Sequence, residues 1–314
     1  MRTNVTFKSD DIPMAGHLYV PDDHKKGDRR AGVVVSHPFG GVKEQTAGKY
    51  AEALSERGFV VLTFDARYQG ESGGAPRFLE DPFARAEDIK SAVTHLCTLA
   101  SVDPNRVGAL GICASGGYVP YAAQTDLRIK AIGTVSAADM GMLYREGLGG
   151  TSNERALHQM LEESAKARND EAAGKPPRLD PIVPNSRAEI TDKTPDLYAE
   201  GYEYYRTPRA QHPHSPNLFL FRSVDRIAQF SSYDGIHMLG PRPLLMIAGN
   251  DADTRYFSEL AVSKAMPPAE LFIIDGATHI DLYDREPFFA QVVDKLDAFY
   301  SASLGGVQRV ARAA

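Results

Sequence analysis

The chain has 314 residues, 43% hydrophobic and 24% charged, with a formal net charge of −6. That is the profile of a globular protein long enough for one large domain or a domain with an insertion. An acidic balance without a basic stripe among aromatics argues against nucleic acid as a partner. No apolar run approaches the roughly 18 residues of a membrane span.

The predicted elements alternate between strand and helix. Residues 4–7 and 16–20 form an opening pair of strands. Residues 31–36 are nearly all apolar, as in a strand buried on both faces. A helix over 44–57, a strand over 59–64, a helix over 83–100 and a strand over 107–112 follow. A helix from about Ala114 and a strand over 129–135 complete the first half. From 139 to 234 the chain turns rich in charge, proline and tyrosine, as in Gly174-Lys-Pro-Pro177 and Tyr202-Glu-Tyr-Tyr205. A structureless loop of that length does not suit a compact domain. The segment reads as a partly helical cap inserted into a core made of 1–138 and 235–314. The rhythm resumes with a strand over 243–248, a helix over 256–264, a strand over 270–274 and a closing helix over 287–303. This pattern predicts a doubly wound, mostly parallel α/β sheet.

The strand over 107–112 ends abruptly in Gly111-Ile-Cys-Ala-Ser-Gly-Gly117. A nucleophile on a sharp strand-to-helix turn needs small neighbours, because the backbone is strained and the helix packs close to the sheet. Cys113 has Gly111 two residues before it and Ser115 two after, where glycine is usual. Centring the turn on Ser115 would push it two residues past the strand, so Cys113 is the expected nucleophile. A thiol at a helix N-terminus is expected to have a lowered pKa. Cys97, the other cysteine, sits in a helical pattern and is assigned to packing. Pro120 falls near the second turn of the following helix and removes a backbone donor there.

Asp251 and Asp253 follow the strand over 243–248. Asp251, nearer the strand end, is the preferred triad acid, with Asp253 in reserve and the other aspartate read as a helix N-cap. His279, in the loop after the strand over 270–274, is the expected general base. Of the other histidines, His237 precedes the acid strand, and His212 and His214 lie in the insertion. Nucleophile, acid and histidine in that order belong to the α/β-hydrolase fold. The oxyanion donors are expected to be the backbone N–H groups of Ala114 and Phe39, with Gly40 next in line. His37, opening the loop His37-Pro-Phe-Gly-Gly41, is given a structural hydrogen-bonding role. In the loop after residue 64, Asp65 and Arg67 are expected to pair locally, and Tyr68 is assigned to substrate contact.

Four motifs taken together carry a resemblance: His37-Pro-Phe-Gly-Gly-Val-Lys-Glu-Gln45, Phe64-Asp-Ala-Arg-Tyr-Gln-Gly-Glu-Ser-Gly-Gly74, Leu110-Gly-Ile-Cys113 and Gly276-Ala-Thr-His-Ile-Asp-Leu-Tyr283. The chain resembles the dienelactone-hydrolase-like proteins and the related fungal polyketide transferases of the α/β-hydrolase superfamily. The resemblance implies a Cys-Asp-His triad on Cys113, Asp251 and His279, without metal or organic cofactor. The chain departs from the dienelactone pattern at Ser115 and in its long insertion.

The expected activity is cysteine-dependent acyl transfer from an activated ester, lactone or thioester through a Cys113 thioester. Water is the default acceptor, which makes the protein an esterase, thioesterase or lactonase. The alternative is a polyketide acyltransferase or chain-fusing enzyme that forms a C–C bond from the same acyl-enzyme. A third reading is a non-catalytic ligand-binding protein. The expected partner is a small-molecule acyl substrate, free or linked to a carrier protein or CoA, with a homodimer left open. Two cysteines exclude a disulfide framework, and residues 1–7 lack the apolar stretch of a secretory signal, so a reducing, cytoplasmic setting is expected.

Overall fold

The computed structural model describes residues 1–305. Its first half contains β1 (Arg2–Ser9), β2 (Ile12–Tyr19), β3 (Arg30–Ser36), α1 (Thr46–Glu56), β4 (Val60–Phe64), α2 (Pro82–Thr98), β5 (Val102–Ile112), α3 (Ser115–Thr125) and β6 (Ile129–Val135). The segment that follows carries α4 (Met140–Glu146), α5 (Glu154–Ala172), β7 (Leu179–Pro181), α6 (Asp196–Tyr205), β8 (Leu218–Leu220) and α7 (Val224–Gln229). The chain closes with β9 (Leu244–Gly249), α8 (Arg255–Lys264), β10 (Ala269–Ile274), α9 (Asp281–Asp284) and α10 (Phe288–Ser303).

Among the described residues, eight strands form one sheet in the order β1-β2-β4-β3-β5-β6-β9-β10. The pairings β1–β2 and β2–β4 are antiparallel and the other five are parallel. The doubly wound sheet predicted from the alternation is therefore present. Helices α2, α3 and α8 cover one face, and α1 and α10 the other. Period-two alternation divides β3 between the two cores: Val34 faces the first, Val33 and Val35 the second. All three are fully buried, which explains the continuous apolar run.

Local sequence fixes several boundaries. Asp81 accepts from the backbone N–H groups of Phe83 and Ala84, with Pro82 in the first turn, so α2 starts there. The conflict at Pro120 is resolved by a tertiary contact. Pro120 lacks the N–H that would bond the Gly116 carbonyl, and the Tyr233 hydroxyl donates to that carbonyl instead, at 3.2 Å. Cys97 packs against the core as expected. The short α9 after His279 is absent from the sequence expectations, since four residues are too few to show a helical period.

The segment between β6 and β9 lies over the C-terminal ends of the central strands and is partly helical. Gly40 in the loop after β3 leaves room for Ile182 of this segment, where a Cβ would collide. Ser215 donates to the Gly40 carbonyl at 2.6 Å. No helix among the described residues is long and apolar enough to cross a membrane.

Candidate active site

β5 ends at Ile112, and the chain reverses at Cys113 into α3 within a few residues. This forces Cys113 to φ 56°, in the left-handed region that a non-glycine residue occupies at a cost of about 1–3 kcal/mol. Backbone bonds hold it there. Its N–H donates to Val135 O at 3.0 Å, and its carbonyl accepts from Gly116 at 2.7 Å and Ala138 at 2.9 Å. The small residues around the turn have a steric reason. A Cβ on Gly111 would collide with the Ser115 carbonyl, and one on Gly116 with Ala137. Ser115 is fully buried, 2.9 Å from Ser36 Oγ, and donates to His37 O at 2.6 Å. Cys113 stands partly exposed at the floor of a cavity.

The thiol's ionisation differs from the expectation of a lowered pKa. Burial pushes the Cys113 pKa up, against the Tyr283 side chain, the backbone N–H groups of Ala114 and Phe39, and more distant Arg85, all of which favour the thiolate. The helix N-terminus contributes as expected, but loss of water around the sulfur outweighs it. Phe39, in the loop after β3, and Ala114, at the N-cap of α3, thus both favour the thiolate through their N–H groups.

The loop that carries Phe39 rests on buried polar groups. His37 accepts from Ala66 N–H through Nε2 at 3.0 Å, and its Nδ1 lies 2.7 Å from Pro38 O, which is the structural role expected of it. Arg85 donates to His37 O at 2.6 Å and to Ser115 Oγ at 2.9 Å. Buried Glu80 lies 3.7 Å from Arg85 and accepts from the Tyr118 hydroxyl at 2.9 Å. Arg85 was not singled out in the sequence. Its signal is a charge on the apolar stripe of α2, one turn before buried Ile89.

Asp65 and Arg67 do not pair with each other. Asp65 takes Lys43 Nζ at 2.9 Å and the backbone N–H groups of Lys43 and Glu71. Arg67 takes Asp88 at 2.7 Å. Both partners come from elements remote in sequence, which a local reading cannot supply. Tyr68 is also corrected, because it does not line the cavity. With φ 70° it shapes a surface loop closed by Tyr68 N–H to Gly73 O and Phe78 N–H to Tyr68 O, and its ring covers Gly74.

His279 is buried and lies at the C-terminal edge of the sheet, where Ser136 Oγ holds its carbonyl at 2.8 Å. Its Nδ1 is 2.6 Å from Thr254 Oγ1, and its Nε2 is 3.2 Å from the Tyr283 hydroxyl. Burial lowers its pKa to about 3, so the resting imidazole is neutral. The acid assignment requires correction. Asp251 is exposed in the turn after β9, with its N–H on Ala277 O and its carboxylate 3.3 Å from Asn250 Nδ2. Asp253 instead accepts from Leu197 N–H at 2.9 Å, tying the turn to the start of α6. Among the described residues neither carboxylate bonds the imidazole, and Thr254, the N-cap of α8, reaches it instead. Thr254 and Tyr283 are the residues that sequence reasoning missed. Tyr283 carries a signal, since it stands four residues after His279 and so can fall on the same side of a helical turn.

The cavity above Cys113 has a volume of about 450 Å³. Its walls are mostly apolar and come largely from the segment between β6 and β9, including Leu143, Met160, Val183 and Leu197. Of the aromatic residues of that segment, Tyr144, Tyr198, Tyr205, Phe219 and Phe221 line it, whereas Tyr204 packs edge-on against Tyr283 at 5.1 Å. Among the described residues, no cluster of His, Cys, Asp and Glu is placed to hold a metal ion.

Residues 33–292 match the model of the alpha/beta hydrolase family. The chain is 36% identical to the uncharacterized protein YcjY of Escherichia coli over 97% of this chain and 100% of that one. It superposes on the crystal structure of hypothetical protein PA2218 from Pseudomonas aeruginosa with a TM-score of 0.90, at 35% identity, covering 96% of this chain and 94% of that one. It is 25% identical to a polyketide transferase, claH, of Penicillium crustosum over 94% of this chain and 95% of that one. Relatives at 25% and 27% identity carry the names acyltransferase and thiohydrolase. Sheet order, the strained turn at Cys113 and these matches agree: the chain belongs to the alpha/beta hydrolase family.

Proposed function

We propose that the protein is a cysteine-dependent acyl-transferring hydrolase acting on an activated ester, lactone or thioester with an apolar acyl part. One observation carries the reading: Cys113, held in a left-handed turn, lines a mostly apolar cavity at the end of β5, where the backbone N–H groups of Phe39 and Ala114 favour its thiolate. The sulfur attacks the carbonyl carbon. The oxygen that gains charge takes the N–H groups of Phe39 and Ala114. His279 is the base and then the acid, and Thr254 holds its ring in orientation. Water then releases the acyl group from the thioester. The relatives named thiohydrolase and acyltransferase support this chemistry.

Intact-mass measurement after mixing with a panel of acyl thioesters and activated esters tests the proposal. The wild type should gain the mass of one acyl group, and Cys113→Ala should not. Absence of any adduct across the panel would leave a ligand-binding role instead. A second reading, transfer of the acyl group to a carbon or oxygen acceptor in polyketide assembly, draws on the mostly apolar cavity walls, which disfavour water. Hydrolysis that continues unchanged in the presence of candidate acceptors would sink it.

A further inference from the structure

No hydrogen bond joins Cys113 to His279 among the described residues. The Tyr283 hydroxyl is 3.2 Å from His279 Nε2, and its side chain lines the same cavity as Cys113. From this placement we infer that Tyr283 is a catalytic residue that relays the proton between the Cys113 sulfur and the His279 imidazole. The inference rests on the acyl-transfer reading of Cys113.

The side chain is built to stay in place. Its ring is fully buried, with Tyr204 edge-on at 5.1 Å and the His279 ring at 5.6 Å. Its backbone carbonyl accepts from Thr46 Oγ1 at 3.1 Å, and the preceding carbonyl, Leu282 O, accepts from the Tyr50 hydroxyl. The hydroxyl also faces the sulfur and favours its ionised form. A phenol can donate and accept in the same event. The relay uses the tautomer in which Nδ1–H donates to Thr254 Oγ1, which leaves Nε2 as the acceptor of the neutral imidazole.

The step balances without a charged tyrosine. As the S–C bond forms, the Sγ proton moves to Tyr283 Oη while the Oη proton moves to His279 Nε2, and the carbonyl π pair goes to oxygen. On collapse, Nε2 returns the original Oη proton to Oη, and the proton that Oη took from the sulfur passes to the leaving oxygen or sulfur as its bond to the acyl carbon breaks. Burial raises the Tyr283 pKa far above its ordinary value, which disfavours a tyrosinate intermediate and favours moving both protons together.

The test measures the single-turnover rate of Cys113 acylation by an activated thioester in mixtures of light and heavy water. The wild type should give a curved proton inventory, the signature of two protons in flight. Tyr283→Phe keeps the ring and its packing. It should acylate about 100-fold more slowly, the lower end of what positioned proton transfer supplies, and lose the curvature. Installing 3-fluorotyrosine at position 283, which keeps the hydroxyl, should restore the rate to within a few-fold. Acylation by Tyr283→Phe within threefold of the wild type, or a linear wild-type inventory, would overturn the relay. A wild type that forms no acyl adduct would instead overturn the parent reading, so the two failures are separable.

Discussion

The Thr254 hydroxyl stands 2.6 Å from His279 Nδ1, at the position from which a triad acid would orient the imidazole. A neutral hydroxyl there orients the ring without supplying negative charge. Thr254→Val keeps the shape and leaves His279 Nδ1 without its hydrogen-bond partner. It should destabilise the fold by about 1–3 kcal/mol, read from denaturant unfolding, and slow acylation at least tenfold. Asp251→Asn should change neither by more than a small factor, because the residue is exposed and among the described residues its carboxylate bonds only Asn250.

Stability should depend on pH through His279. Its folded pKa, about 3, lies below the ordinary histidine value of 6.5. Above pH 6.5 both folded and unfolded states hold the ring neutral, and the stability is fully present. As the pH falls from 6.5 to 3, the unfolded state takes up a proton that the folded state refuses, and stability drops by up to about 1.4 kcal/mol per unit from this group. Urea unfolding at pH 7 and pH 4.5 should show the loss, and His279→Gln should reduce it.

The thiol should behave as a protonated group at neutral pH. Burial raises the Cys113 pKa above its ordinary 9. Alkylation of Cys113 by iodoacetamide, followed by peptide mass, should keep accelerating beyond pH 9. A plateau near pH 7 would contradict the burial argument.

Arg85 and Glu80 form a charged pair in the core beneath the nucleophile turn. Arg85→Met leaves Glu80 alone in a site where burial already raises its pKa. The variant should lose about 3–5 kcal/mol. The double change with Glu80→Gln should recover part of that loss, because the orphaned charge is gone. Equal losses in the single and double variants would show that the pair is not coupled.

Gly111 has no room for a methyl group, since its Cβ would meet the Ser115 backbone carbonyl. Gly111→Ala should cost about 3 kcal/mol or more, at the upper end of overpacking, as read from thermal or denaturant unfolding. A neutral effect would mean that the turn has more freedom than its backbone bonds imply.

Much of this molecule is legible in the sequence because it is written locally. The strand over 129–135 is recovered to the residue, since all of it but Lys130 is buried and the run is mostly apolar. Cys113 is legible because a turn that tight tolerates only small neighbours. Tyr68 misleads for a related reason: an aromatic in a glycine-rich loop looks free to meet a ligand, whereas here the ring covers Gly74. Asp65 and Arg67 mislead because oppositely charged residues two apart invite a local pair, and each has a stronger partner far along the chain.

Periodicity, residue size and turn chemistry therefore settled the sheet, the identity of the strained cysteine and the histidine beyond β10, since each is a property of a short stretch. The third dimension decided which side chains meet. Asp251 and Thr254 are three residues apart on one turn, and only the path of that turn between β9 and α8 determines which reaches the imidazole. Tyr283 enters the site because α9 and the packing of Tyr204 set its ring against His279. Side-chain direction at a turn depends on backbone angles and remote contacts, and neither is encoded in the spacing of residues along the chain.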